Sequence, residues 1–285
     1  MSIKNQIKCG LHISIAKGID LAVDRAKEKT CNTFQIFTSN PRSWKSRSLK
    51  INEAIKFNEK LHKYKMDPIF SHIPYLPNFS SPNMTVYKKS VKSLVEELDR
   101  CDRLTIPYIV IHLGSHLGKG RKVGLKRITN AINTAFNSSN GKSTLLLENT
   151  AGTKNSMGSS FREIQEIIDQ ISDNYRLGIC FDTCHAFAAG YDLRNATSIG
   201  ETIDNLKEEI DLERLKVIHA NDSKGKLASH MDRHEHIGKG HIGNKGFRTI
   251  LHTDIFRRLP IILETPIDNS RDDLKNLARI RKLSE

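Results

Sequence analysis

Eight apolar runs of strand length recur along the chain, at residues 7–13, 33–38, 67–72, 108–113, 144–149, 177–182, 215–220 and 260–265. A strand with one face in water alternates apolar and polar residues. Runs such as "YIVIHL", "TLLLEN" and "LGICFD" are apolar almost throughout, the pattern of strands buried on both faces of a parallel sheet. Charged segments of helical length stand between them. In "MTVYKKSVKSLVEELDRCDRL" (84–104), Val91, Leu94, Val95 and Leu98 recur at helical spacing, which predicts a helix with Lys92, Glu96 and Glu97 turned to solvent. "FREIQEIIDQI" (161–171) reads the same way. Strand and helix alternating eight times predict an α/β fold, a single (β/α)8 TIM barrel over residues 1–285. No Pro/Gly/Ser-rich linker divides the chain. "NFSSPN" (78–83) and "DSKGKLASHMDRHEHIGKGHIGNKG" (222–246) read as loops within the alternation, the second long enough to be suspected of function.

The residues that close these runs carry the chemistry. The third ends in His72, the fourth in His112, the fifth in Glu148, the sixth in Asp182 with His185 one turn on, the seventh in His219 and the eighth in Glu264. In a barrel all these C-terminal ends ring one mouth, where active sites of the fold lie. One histidine at a strand end is usually a satisfied polar residue. Six successive ends in His, Asp or Glu would desolvate charge at a cost that divalent cations relieve. "MDRHEH" (231–236) adds Asp232 and His234, spaced by one residue so that an extended chain points both the same way. Nine candidate ligands result. A catalytic zinc takes three protein ligands, so nine suit up to three metals, especially if a carboxylate bridges two. Nitrogen and oxygen donors suit zinc and leave manganese, iron and cobalt open.

Within "GICFDTCHAFAAGYD", Cys180, Asp182, Cys184 and His185 crowd together. Adjacent strand residues face opposite ways, so Cys184 and His185 do not form a nucleophilic dyad, and Cys184 reads as small packing. "NGKST" (140–144) has Phe136 where a phosphate-binding loop needs glycine, and reads as a turn. "GKGHIG" (238–243) and "GSHLGKG" (114–120) read as mobile loops, with phosphate contact the lesser alternative. His62 and His252 read as surface residues of helices, and Trp44 as packing.

The chain carries 45 Lys and Arg against 32 Asp and Glu, a formal charge of +13, which favours a polyanionic partner. No apolar run reaches the roughly 18 residues of a membrane span, and the N-terminus lacks a signal-peptide pattern, so a cytoplasmic protein with no membrane partner is expected. Five scattered cysteines argue for reduced thiols.

"FDTCHAFAAGYD" (181–192), "IHLGSHL" (111–117), "LENTAG" (147–152), "HAND" (219–222), "MDRHEHIGKGHIG" (231–243) and "ILET" (262–265) together resemble the signatures of endonuclease IV, the metal-dependent apurinic/apyrimidinic endonuclease of base-excision repair. The likeness runs from "GLHIS" (10–14) to Glu264. It implies three zinc ions: one held by His72, His112 and Glu148, a second by Glu148, Asp182, His219 and Glu264, a third by His185, Asp232 and His234. Glu148 and Glu264 are the candidate catalytic residues, and Arg42, Tyr75 and Leu76 the residues inserted into duplex DNA at the abasic site. The implied reaction is hydrolysis of the phosphodiester 5′ to the lesion, leaving a 3′-hydroxyl and a 5′-deoxyribose phosphate, together with removal of 3′-blocking groups, by a monomer. Lys45, Arg47, Lys119, Arg121, Lys224 and Lys239 are candidates for phosphate contacts. Lys239 is a departure, since the family commonly carries an acidic residue between those glycines. The alternative is a metal-dependent sugar isomerase of the xylose-isomerase-like group, which has no need of Asp232 and His234 as a third site.

Overall fold

A computed structural model describes residues 7–268 and 272–285. All eight runs are strands: β1 (Cys9–Leu11), β2 (Phe34–Ile36), β3 (Ile69–His72), β4 (Tyr108–Ile111), β5 (Thr144–Glu148), β6 (Leu177–Asp182), β7 (Leu215–His219) and β10 (Ile261–Leu263). They form one parallel sheet in the order β1-β10-β7-β6-β5-β4-β3-β2. A parallel bridge between His12 and Gln35, with Ile13 N–H donating to the Gln35 carbonyl at 2.7 Å, joins the two ends and closes the barrel. Glycine is required at this seam: a Cβ on Gly10 would stand 1.7 Å from the Thr33 carbonyl oxygen.

Each strand is followed by a covering helix: α1 (Asp20–Glu28), α2 (Ile51–Tyr64), α3 (Met84–Arg103), α4 (Arg121–Ser138), α5 (Phe161–Asp169), α7 (Ala196–Glu209), α8 (Gly243–His252) and α10 (Asp273–Ser284). Two short helices, α6 (Thr183–Ala189) and α9 (Asp254–Arg257), interrupt the simple alternation. The segment 222–246 is more than a loop, for it holds an antiparallel hairpin of β8 (Asp222–Ser223) and β9 (His234–Glu235) and the start of α8.

The α3 helix starts where the Asn83 side chain accepts from the N–H groups of Thr85 and Val86, and it buries Leu94 and Leu98 completely, worth about 1.5–3 kcal/mol each. Glu97 corrects the sequence reading. It is buried, accepting from the Thr38 hydroxyl at 2.8 Å and from the Ser71 hydroxyl, and burial lifts its pKa above the usual carboxylate range. Position 97 lies three residues from Leu94 and so belongs to the packed face by period; only its polarity argued otherwise. Among the described residues no helix is long and apolar enough to cross a membrane.

Candidate metal centre

The barrel interior is filled by Phe70, Val110, Leu146, Cys180, Val217 and Ile262, all fully buried. Two residues further along the same strands stand His72, His112, Glu148, Asp182, His219 and Glu264. Because side chains two apart on a strand share a face, these six point into the same cavity, nearer the mouth. His112 and Glu264 fall one residue beyond the regular strand ends. The first two strands complete the set with His12 and Gln35, which the sequence reading passes over. His12 sits one residue before the end of its run, and glutamine is not a usual ligand type; the shared two-residue offset from Gly10 and Thr33 is the available signal.

Glu148 is fully buried at the centre. One oxygen lies 2.9 Å from His219 Nδ1 and 3.6 Å from His185 Nδ1, the other 3.4 Å from both His72 Nε2 and His112 Nε2. Burial opposes its ionisation, yet the imidazoles of His112 and His219 overcome that and hold the carboxyl well below its ordinary range. Glu264 behaves alike, with burial outweighed by His219 and His12. Burial lowers the pKa of His12 and of His112. For His185 burial is overcome by Asp182, Asp232 and Glu148, which push it up to about 10.

Asp182 ends β6 and caps α6, its carboxylate accepting from His185 N–H at 2.7 Å, so the strand-to-helix turn sets the spacing of both residues. Asn221 donates to Asp182 at 2.7 Å and accepts from Glu264 N–H at 2.8 Å, while the Asn149 side chain donates to the Asp182 carbonyl at 3.0 Å. These two asparagines from "LENT" and "HAND" tie three strand ends together, and the sequence reading assigns them no role. The hairpin brings Asp232 within 3.1 Å of His185 Nε2 and 3.6 Å of His234 Nε2. Nitrogen and oxygen donors within 4.8 Å of one another thus form three groups: His72, His112, Glu148; Glu148, Asp182, His219, Glu264; and His185, Asp232, His234.

The proton arrangement on the histidines tests whether cations fit. His72 Nδ1 lies 2.7 Å from the Ile73 carbonyl, His185 Nδ1 2.9 Å from the Asn149 carbonyl, and His234 Nδ1 3.0 Å from the Glu264 carbonyl. His219 Nε2 lies 2.9 Å from the Gln35 side-chain oxygen. An oxygen acceptor makes that ring nitrogen an N–H donor in each case, so the other nitrogen, which faces the carboxylates, is the one that would bind a cation in exchange for its proton. Among the described residues, Nε2 of His234 is buried without a hydrogen-bond partner, and Nε2 of His185 faces Asp232. Ring nitrogens converging with ionised carboxylates, each imidazole braced by an outer acceptor, are what a divalent cation requires. The sulfurs of Cys180 and Cys184 also come within 4.8 Å of donors in these groups. Burial pushes the Cys180 thiol to about 12 and raises that of Cys184, so both stay protonated at neutral pH. All five cysteines are unpaired and buried.

At the rim, Arg42 is exposed in the loop after β2, and Tyr75 and Leu76 are exposed after β3. Tyr75 lines the mouth, a cavity of about 420 Å³, packs edge-on to Phe37 with centroids 5.0 Å apart, and donates its N–H to the Pro41 carbonyl at 3.2 Å. Arg100 braces the first loop, its guanidinium bonding the Thr38 hydroxyl at 2.9 Å and the Arg47 carbonyl at 2.8 Å. Lys45, Lys119, Lys224 and Lys239 are exposed, the Lys224 ammonium 4.0 Å from the Glu235 carboxylate. Arg47 and Arg121 are exposed too but already paired, the first with Glu53 at 2.8 Å, the second with Glu163 at 3.0 Å and with Glu166. "NGKST" lies between α4 and β5, at the opposite end of the barrel. His62 and His252 are exposed on helices, and Trp44 is half-buried with the Lys89 ammonium 5.7 Å from its ring centroid.

Residues 23–283 match the family described as a xylose isomerase-like TIM barrel. A probable endonuclease 4 of Methanoculleus marisnigri is 50% identical over 276 residues, covering 96% of this chain and 98% of the relative. One from Nitrosopumilus maritimus is 44% identical over 280 residues, covering 98% and 100%. The crystal structure of endonuclease IV from Thermus thermophilus superposes with a TM-score of 0.86 at 34% identity, covering 97% of this chain and 98% of that one. A D-tagatose 3-epimerase-like protein, with a TM-score of 0.72 at 18% identity over 97% and 95%, shares the fold alone.

Proposed function

The chain belongs to the endonuclease IV family, and from that premise we propose that it is an apurinic/apyrimidinic endonuclease, a hydrolase that cuts duplex DNA 5′ to an abasic site with three zinc ions in the barrel mouth. The observation that supports this best is the set of four histidines, His72, His185, His219 and His234, each fixed by an outer oxygen so that its other ring nitrogen turns toward carboxylates. Zinc would be held by the three donor groups, with Glu148 shared between two of them. When bound, such cations supply Lewis acidity, lowering the pKa of water and withdrawing charge from a phosphate.

The protein's own residues supply position and selectivity. Glu148 and Glu264 stand ionised at the base of the mouth, braced by imidazoles and by the Gln35 amide, which donates to Glu264 at 2.7 Å. Such preorganised charge costs no rearrangement when a phosphodiester arrives. The mouth, a cavity of about 420 Å³, has room for a sugar-phosphate rotated from the stack. A missing base lowers the cost of that rotation, so deformability of the lesion adds selectivity. Arg42, Tyr75 and Leu76 stand exposed on neighbouring loops that are tied together through Tyr75 and Pro41, an arrangement suited to wedging a duplex open. Lys45, Lys119, Lys224 and Lys239 add positive charge at the rim for phosphates.

The test is incubation of the pure protein with a duplex carrying one abasic site, with and without chelator, alongside measurement of bound metal. Nicking 5′ to the lesion that chelator abolishes, with about three zinc ions per chain, is expected. Intact duplex together with sugar isomerisation overturns the reading.

A further inference from the structure

The turn "HIGKGHIG" (236–243) beside the mouth has the glycines of a phosphate cradle, but its amides already have an acceptor. The carboxylate of Asp222, fully buried, accepts from the backbone N–H groups of Ser223 at 2.8 Å, Gly238 at 2.9 Å, Gly240 at 3.0 Å, Ile242 at 3.0 Å and Gly243 at 3.2 Å. Glycine is needed for this enclosure: a Cβ on Gly240 would lie 2.5 Å from Asp222 Oδ1 and 2.4 Å from the Ser223 carbonyl oxygen. Successive amides turned toward one point make an anion site, and here the anion is part of the chain.

That carboxylate joins the two ends of one excursion. On the outgoing side Asp222 and Ser223 pair with Glu235 and His234. On the returning side the turn 238–243 comes back to the same carboxylate, and His241 N–H donates to the Ser223 carbonyl at 2.9 Å. Between these ends the chain carries Asp232, whose side chain is 51% exposed, and His234. The segment is also tied to the barrel by His230 N–H donating to the Ala188 carbonyl at 2.9 Å and by His234 Nδ1 at 3.0 Å from the Glu264 carbonyl, and closure of this excursion adds the tie that limits how widely the chain between its ends can spread.

We propose that Asp222 is a positioning residue for the outer donor group: by gathering the amides of the 238–243 turn it closes the hairpin excursion and holds Asp232 and His234 against His185. This rests on the metal reading of the mouth. Asp222 itself touches neither substrate nor cation; it acts through the backbone. Position 239 takes part only by its main chain, so a lysine there is compatible with the cage.

The test uses zinc ions alone, titrated into the metal-free full-length chain against a competing chelator, with amide hydrogen exchange measured on the same protein. In Asp222→Asn the side-chain amide faces N–H groups that need an acceptor. Exchange at Gly238, Gly240, Ile242 and Gly243 is expected to accelerate roughly tenfold or more, the scale of a lost charge-assisted bond. One of three zinc-binding steps is expected to weaken at least about tenfold while the other two keep wild-type affinity. His185→Ala identifies that step, since it removes the same one without hastening exchange in the turn. Gly240→Ala, which opens the cage and keeps the carboxylate, is expected to reproduce the selective loss, so the result does not depend on one variant folding. Wild-type affinity at all three steps in both variants, or equal weakening of all three, overturns the proposal. A wild-type chain that takes up no zinc overturns the metal reading itself and this inference with it.

Discussion

Replacing Gln35 by leucine removes a polar brace from the mouth without opening a large cavity, since the two side chains are close in volume. Gln35 is fully buried, and its amide accepts from His219 Nε2 at 2.9 Å and donates to Glu264 at 2.7 Å. The change strands the His219 N–H, at about 1–3 kcal/mol, and deletes a charge-assisted bond to a carboxylate that retains His12 at 3.2 Å, at about 1.5–3 kcal/mol. Together the metal-free chain should lose about 4 kcal/mol. At about 2–3 °C per kcal/mol for a chain of this size, the unfolding midpoint should fall by about 10 °C. Thermal circular dichroism in the presence of chelator measures this. A second consequence follows from the tautomer. With no acceptor at Nε2, His219 is no longer held with Nδ1 toward Glu148, and zinc affinity of the central group should drop by about 10–100-fold. An unchanged midpoint together with unchanged zinc affinity would refute the claim that Gln35 braces the site.

Glu148→Gln should reduce bound zinc from about three ions to about one, because its carboxylate belongs to two of the three donor groups; atomic emission on dialysed protein reads this, and three retained ions would contradict the sharing. The Arg47–Glu53 pair holds the Glu53 carboxyl down at about 2 through the hydrogen bond from Arg47. A depressed carboxylate stabilises above its unfolded pKa and loses that contribution as pH falls through the folded value, so the gap in urea midpoint between wild type and Arg47→Ala should shrink from pH 4.5 toward pH 2. Because Arg47 is 60% exposed, the gap at neutral pH should be below about 1 kcal/mol, and a gap that grows on acidification would reverse the sign argument. Removing Lys45, Lys119 or Lys239 should each reduce the slope of log K for abasic duplex against log salt by about 0.9, whereas Arg121→Ala, whose guanidinium is paired with Glu163 and Glu166, should leave it nearly unchanged in filter binding. Cys184→Ser should leave nicking nearly intact; loss of activity with zinc retained would give the sulfur a role the donor geometry does not require.

The strand count, the parallel order and the six strand-end ligand candidates were legible in the sequence because one local rule governs them all. A strand buried on both faces is apolar throughout, so a polar residue at its end is conspicuous. Glu97 escaped that logic, since its partners Thr38 and Ser71 are distant in sequence and its burial depends on them. Asp222 escaped it differently: the glycines of 238–243 read as a mobile loop, with phosphate contact the lesser alternative, whereas the folded turn is pinned by an anion of the chain itself, a residue sixteen positions upstream of the first of them.

By itself, then, the sequence determined the architecture and the donor chemistry, because hydrophobic period and side-chain type are local properties that survive without knowledge of contacts. The tertiary structure decided which nitrogen of each histidine faces the mouth, that Gln35 and His12 complete the set contributed by the eight strands, and that Arg47 and Arg121 are already paired. Arg47 pairs six residues along the chain and His72 with its neighbour, where only the local fold sets the angle. The others are matters of angle and distance between segments tens to hundreds of residues apart, which closure of the barrel brings within hydrogen-bond range.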